Sequence, residues 1–292
     1  MADDLHQLDE PHDHDRGLAF DLTTLIQRRR ALKLIAGAGL VALAGCGSDD
    51  DAASTASTTS TTTGASGSGS GSTGGSETTT GSDGEVSAIP EETAGPYPGD
   101  GSNGPNVLTE SGIVRRDIRP SFGSASGVAE GVPLTVNLTV LDAAGGSTPL
   151  AGGAVYAWHC TRDGEYSLYS QSIADENYLR GVQEADADGA LSFTSIFPGC
   201  YSGRWPHIHF EVYATLADAT GGGSPIATSQ LALPEDACAT VYPTDGYSQS
   251  VQNLARTSLE SDMVFSGGYA QQLAATTGSV ASGYVAELSV GV

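Results

Sequence analysis

Five short runs of β-forming residues, each bounded by turn signals, constrain this chain more than any other feature: residues 134–141, 154–158, 191–197, 208–213 and 284–290. They alternate or cluster Val, Leu, Ile, Thr, Phe and Tyr, and the segments 142–146 and 186–189 read as turns between strands. Helical periodicity is scarce, with one short helix expected between Ser250 and Phe265. The expected fold class is all-β, an antiparallel β-sandwich of short strands.

Only part of the 292-residue chain can belong to that sandwich. Residues 1–45 read as a signal peptide: Arg28-Arg29-Arg30-Ala31-Leu32-Lys33 resembles a twin-arginine export motif and leads into an apolar run at 34–43. A helix spanning a bilayer needs about 20 apolar residues, so this run is too short to be one. Leu43-Ala44-Gly45-Cys46 resembles a lipoprotein box, which makes Cys46 the expected lipidated residue and the lipid anchor the expected membrane contact. His6, His12 and His14 stand before the cleavage point and are given no metal role.

Residues 46–85 are Ser, Thr, Gly and Asp with almost no apolar side chain; unable to bury enough surface to offset ordering entropy, they are expected to form a flexible tether. The globular domain is then 86–292, exported and held at the outer face of a bacterial or archaeal cell membrane, or periplasmic. The net charge is −23 and the only lysine is Lys33 in the leader. So acidic a chain repels nucleic acid and anionic lipid, which excludes both as expected partners.

Three cysteines follow Cys46, namely Cys160, Cys200 and Cys238. An oxidising compartment favours a disulfide, and an odd number leaves one thiol over. Cys200 and Cys238 both read as loop residues and are expected to bridge, with Cys160 a buried free thiol in a strand.

The chemistry concentrates at 196–213. In a strand starting at Pro206, alternation sends His207 and His209 to one face and Ile208 to the other, so two imidazoles can reach one ion without bending the backbone. Tyr201 follows a Pro-Gly-Cys turn, Arg204 stands three residues before His207, and Tyr166 closes a run that begins at Trp158 and passes through an Asp-Gly turn. Two neutral imidazoles with two phenolates suit a hard trivalent ion, whose charge pulls a phenol pKa far below about 10. Iron(III), non-haem, fits that donor set better than zinc.

These residues resemble the intradiol ring-cleavage dioxygenases, the non-haem ferric enzymes of the protocatechuate 3,4-dioxygenase and catechol 1,2-dioxygenase type. The resemblance rests on the Trp158 to Tyr166 spacing, on Pro198-Gly199-Cys200-Tyr201, and on Arg204-Trp205-Pro206-His207-Ile208-His209, in which Trp205 and Pro206 stand exchanged relative to the family pattern. Thr93-Ala94-Gly95-Pro96-Tyr97, Pro149-Leu150-Ala151-Gly152 and Ser229-Gln230 extend it over roughly residues 88–265.

The resemblance implies that Tyr166, Tyr201, His207 and His209 are the ligands of a loop-borne ferric site, Tyr166 and His207 equatorial and the other two axial. It further implies that a catechol displaces Tyr201 and takes up O2, and that the ring opens between its two hydroxylated carbons to a muconate-type diacid. Arg204 would stabilise negative charge on the substrate, or else pair with one of the many acids, and Gln230 would orient substrate or oxygen. Tyr97 would border the mouth, Trp158 and Trp205 would mainly pack, and His159 would stand outside the ligand set. Only Ser202 and Gly203 separate Tyr201 from Arg204, fewer than in the family pattern, so a wider pocket for bulkier catechols is expected. Two alternatives compete: an inactive lipid-anchored β-sandwich that binds iron or catecholates, and a divalent-metal hydrolase using His207 and His209.

Overall fold

The computed structural model describes residues 86–292; the expected leader, tether and Cys46 lie outside them. The strands run in the order β1 (Pro133–Asp142), β2 (Thr148–Pro149), β3 (Ala154–Trp158), β4 (Arg180–Glu184), β5 (Ala190–Ile196), β6 (His207–Tyr213), β7 (Ala227–Ala232), β8 (Ala275–Ser279) and β9 (Gly283–Gly291). One sheet is ordered β2-β1-β9-β8 with β5 also paired to β1; the other is β4-β3-β6-β7.

Each of the five expected strands is present. The antiparallel expectation fails at one ladder, because β9 pairs parallel with β1, from Leu134 opposite Tyr284 to Leu141 opposite Gly291. A parallel neighbour needs a long crossover, which the chain between the two strands provides.

Burial along the strands shows where a site can lie. In β1, Leu134, Val136, Leu138 and Val140 are buried while the intervening residues are not, as in a sheet with one solvated face. By contrast β3, β6 and β7 are buried at every position. Their inner faces, including Val155, Ile208, Phe210 and Leu231, join β1, β5 and β9 in the main core.

A second layer covers the outer face of β3 and β6, where Ala94, Val107, Leu108 and Ile113 pack with Tyr156, Trp158, Tyr166 and Tyr213. The N-terminal part of this layer is tied down by Glu92 N donating to Thr228 O at 2.8 Å and Ile89 N to Gly291 O at 2.9 Å. The outer face of that sheet is thus a second, dry compartment, and the histidines of β6 point into it.

Three helices of one to two turns, Leu216–Gly221, Glu235–Val241 and Ser248–Leu254, are too short to leave a periodic signal. The helix expected between Ser250 and Phe265 is confined to the last of these and a 3₁₀ turn at Phe265–Gly267.

The expected Cys200–Cys238 bridge is corrected: Cys160, Cys200 and Cys238 are all free and buried. Cys238 belongs to the helix Glu235–Val241 rather than a loop, and Cys160 lies just beyond the end of β3. The Cys200 thiol donates to Arg204 O and the Cys160 thiol to Gly199 O, each at 3.5 Å. Burial pushes all three thiol pKa values up, that of Cys160 to about 12.

Candidate active site

His207 and His209 project from the outer face of β6, with Nε2 atoms 3.1 Å apart and ring planes at 81°. Nδ1 of His207 is bonded to the carbonyl of Trp205. A carbonyl can only accept, so Nδ1 carries the proton and Nε2 presents a lone pair. Oη of Tyr201 lies 3.2 Å from that same Nε2. His209 lies flat against Trp158, its partner across the β3–β6 ladder, with ring centroids 5.0 Å apart.

Tyr166 completes the group, with ring centroids 5.9 Å from Tyr201 and 6.4 Å from His209. The structure therefore brings Tyr166, Tyr201, His207 and His209 together. Donor atoms held about 2.1 Å from a shared ion and separated by 3.1–3.2 Å would subtend about 95–100° at it. That spacing fits a metal centre. The buried hydroxyl of Tyr166 and Nδ1 of His209 form no hydrogen bond of ordinary geometry, and an ion would give the phenol oxygen a coordination partner instead.

Close backbone packing sets the spacing of the two tyrosine loops. Gly199 N donates to Thr161 O at 2.9 Å, and a Cβ on Gly199 would stand 2.5 Å from Arg162 O. Gly164, at φ +87°, sits where a Cβ would be 3.1 Å from Cβ of Tyr201. These glycines let the loop leading to Tyr166 lie directly on the turn carrying Tyr201.

The electrostatics of the site favour neutral groups. Burial, then the charge of Arg204, holds His207 well below the ordinary imidazole pKa; burial and then His207 do the same for His209. Burial, reinforced by Tyr201, raises the Tyr166 phenol well above its usual value. Both imidazoles are thus ready to donate lone pairs, whereas Tyr166 needs a nearby cation to ionise.

Arg204 is completely buried, and its Nε donates to Oδ2 of Asp262 at 3.0 Å. The acid pairing that the sequence left open as an alternative is therefore present. Asp262 also accepts from the backbone N–H groups of Trp205 (2.7 Å) and Val264 (2.8 Å). Arg204 Nη2 donates to Oε1 of Gln230 at 2.6 Å, and Gln230 Nε2 donates to Thr93 O at 2.9 Å. With both amide ends so engaged, Gln230 holds Arg204 in place.

Tyr97 packs on Tyr166 at 5.0 Å and borders the site. Trp205 is buried, its indole N–H on Leu233 O at 2.8 Å, and packs with Ala232 and Phe265. His159 stands apart, bonded to Cys160 O and Ser195 Oγ at 2.7 Å each. Sequence reasoning missed Asp262, which no local pattern marked among the chain's 35 acids, and read Thr93 only as the start of the Thr93–Tyr97 match.

Residues 117–219 match the dioxygenase family model, a segment that contains both tyrosines, Arg204 and both histidines. A chlorocatechol 1,2-dioxygenase from Rhodococcus opacus is 33% identical over 86 residues, covering 23% of this chain and 34% of that protein. Over that segment the chain is similar to the dioxygenase family and to this catechol-cleaving relative. The match spans about a third of the length of that curated relative. The fold agrees with an intradiol ring-cleavage dioxygenase structure from Tetranychus urticae, 24% identical, at a TM-score of 0.56 over 70% of this chain and 94% of that one.

Proposed function

We propose that this domain is a non-haem iron(III) dioxygenase that opens catechol-type rings between the two hydroxylated carbons with O2, giving muconate-type diacids. The observation that carries the proposal is the approach of Tyr201 Oη and His209 Nε2 to His207 Nε2, at 3.2 and 3.1 Å, beside the buried Tyr166 hydroxyl. Tyr166, Tyr201, His207 and His209 would hold the iron. Bound there, iron(III) would accept charge from a catecholate and so make the ring reactive toward O2.

The chain's own residues account for the rest. His207 and His209 stay neutral through burial and so remain ligands rather than cations. Tyr201 is half-exposed where the other three are buried, so it is the ligand with room to leave and to accept a catechol proton at Oη. Arg204, fixed by Asp262 and Gln230, places a guanidinium beside the site in a water-poor setting, where a fixed charge acts more strongly than in bulk water. Both atoms of O2 end as carboxyl oxygens of the product. Ser202 and Gly203 are exposed next to Tyr201, which supports a mouth wide enough for substituted catechols.

A lipid anchor on Cys46 and an extracytoplasmic location complete the proposal, supported by the order of arginines, apolar run and Leu43-Ala44-Gly45-Cys46. Mass spectrometry of the mature N-terminal peptide tests them.

The activity test begins with colour, since iron(III) bound by tyrosinate absorbs visible light. The iron-loaded protein is expected to be burgundy, with a band that weakens and shifts in Tyr166→Phe, and an oxygen electrode is expected to record uptake with catechol, protocatechuate, hydroxyquinol or larger phenolics. Colour without uptake would make it a binding module. A colourless iron-loaded protein would end the ferric reading.

A further inference from the structure

Arg180, the first residue of β4, is 1% exposed. Its guanidinium donates from Nη1 to Pro98 O (2.8 Å) and Tyr156 Oη (3.2 Å), from Nε to Ser167 Oγ (3.1 Å), and from Nη2 to Ser167 O (2.9 Å). Among the described residues no carboxylate forms a salt bridge with it. Burying a cation among neutral oxygens is costly, and an apolar side chain of similar size would fill the space without that cost. What an apolar residue could not do is tie two distant chain segments together through one rigid fork of donors.

The two segments are specific ones. Pro98 follows Tyr97 and Ser167 follows Tyr166, and the rings of Tyr97 and Tyr166 pack 5.0 Å apart. Tyr169 closes the circuit: its ring lies 5.1 Å from that of Tyr97 and 5.5 Å from the guanidinium carbon, and its hydroxyl accepts from Gly99 N at 2.9 Å. Arg180 is also the cross-strand partner of Trp158, which in turn pairs with His209.

We infer that Arg180 is a positioning residue of the active site: by gripping the residue after Tyr97 and the residue after Tyr166, it sets the Tyr166 phenol against the other three ligands and fixes Tyr97 beside it. The inference rests on the ferric-dioxygenase reading above for its consequence, and on the hydrogen-bond geometry alone for its structural half. Nothing in it depends on the sign of the charge. A lysine would keep the cation but could not span Ser167 O, Ser167 Oγ and Pro98 O at once.

The experiment compares wild type with Arg180→Lys and the milder Ser167→Ala, plus Val140→Ala as a control destabilised in the distant sandwich core. In the metal-free protein, amide hydrogen exchange in peptides covering 97–101 and 166–170 is expected to quicken about tenfold in Arg180→Lys and less in Ser167→Ala, with other peptides unchanged. In the iron-loaded protein the visible band per bound iron is expected to weaken and move in Arg180→Lys while staying unchanged in Val140→Ala. Turnover is expected to fall about tenfold to a hundredfold, as for a reacting group displaced by a fraction of an ångström.

Unchanged exchange in those two peptides, or a rise spread evenly over the domain, overturns the inference. So does a band that Arg180→Lys and Val140→Ala alter equally. If the wild type takes up iron without colour, the ferric reading falls instead, and the exchange comparison still decides whether Arg180 grips both segments.

Discussion

Asp262→Asn tests whether Arg204 is held by an ion pair or merely neighbours an acid. Both side chains are fully buried. Oδ2 of Asp262 accepts from Arg204 Nε and Trp205 N, and Oδ1 from the N–H groups of Val264 (2.8 Å) and Phe265 (3.3 Å). Asparagine has one oxygen, so whichever way its amide turns, one pair of donors meets an NH2 group. The guanidinium also loses the charge of Asp262, and breaking a buried pair from one side costs about 3–5 kcal/mol.

Against a total stability of roughly 5–15 kcal/mol, that is a large fraction. Urea unfolding followed by tryptophan fluorescence is expected to show this loss with an unchanged denaturant slope. Arg204→Met alone is expected to lose a similar amount by stranding the carboxylate, and the double variant much less than the sum, leaving a coupling of about 3 kcal/mol. The reasoning is refuted if Asp262→Asn stays within about 1 kcal/mol of wild type, or if the two losses add to within about 0.5 kcal/mol.

Other expectations follow from the same coordinates. Alkylation mapping should find Cys160, Cys200 and Cys238 unmodified in the native protein and all three modified after denaturation without reductant; a linked Cys200–Cys238 peptide would restore the bridge. Burial lowers His159 from 6.5 to about 4, so below pH 6.5 the unfolded chain takes up a proton that the folded one refuses. Stability is then lost as pH falls from 6.5 to 4, by about 3 kcal/mol, and levels off below. Unfolding of His159→Gln should lack that component, its deficit relative to wild type shrinking by the same amount between pH 7 and pH 4; a pH-independent deficit would refute the assignment. Gly199→Ala should push the Tyr201 turn off Arg162 O, costing about 1–3 kcal/mol in a urea titration and dimming the iron-loaded colour.

The sequence by itself determined the parts whose signals are local. Period-two alternation marked β1 and β5, and apolar and β-branched clustering marked β3, β6 and β9, because a side chain's face follows from its position along a strand. The same rule placed His207 and His209 on one face of β6, and the resemblance to the intradiol family pattern singled out Tyr166, Tyr201 and Arg204. Strands such as β2, with two residues, and β8, with a mostly exposed Ala-Thr-Thr-Gly-Ser, offered no pattern to read.

The tertiary structure alone decided everything that depends on pairing across long loops. Asp262 meets Arg204 from 58 residues away, and Arg180 reaches Pro98 across 82. Whether Cys200 faces Cys238 or a carbonyl was likewise settled by how a helix packs. Burial is a collective property of the finished fold, so one strip of chain cannot announce which of its many acids, arginines or thiols will lose water, or what it will find there instead.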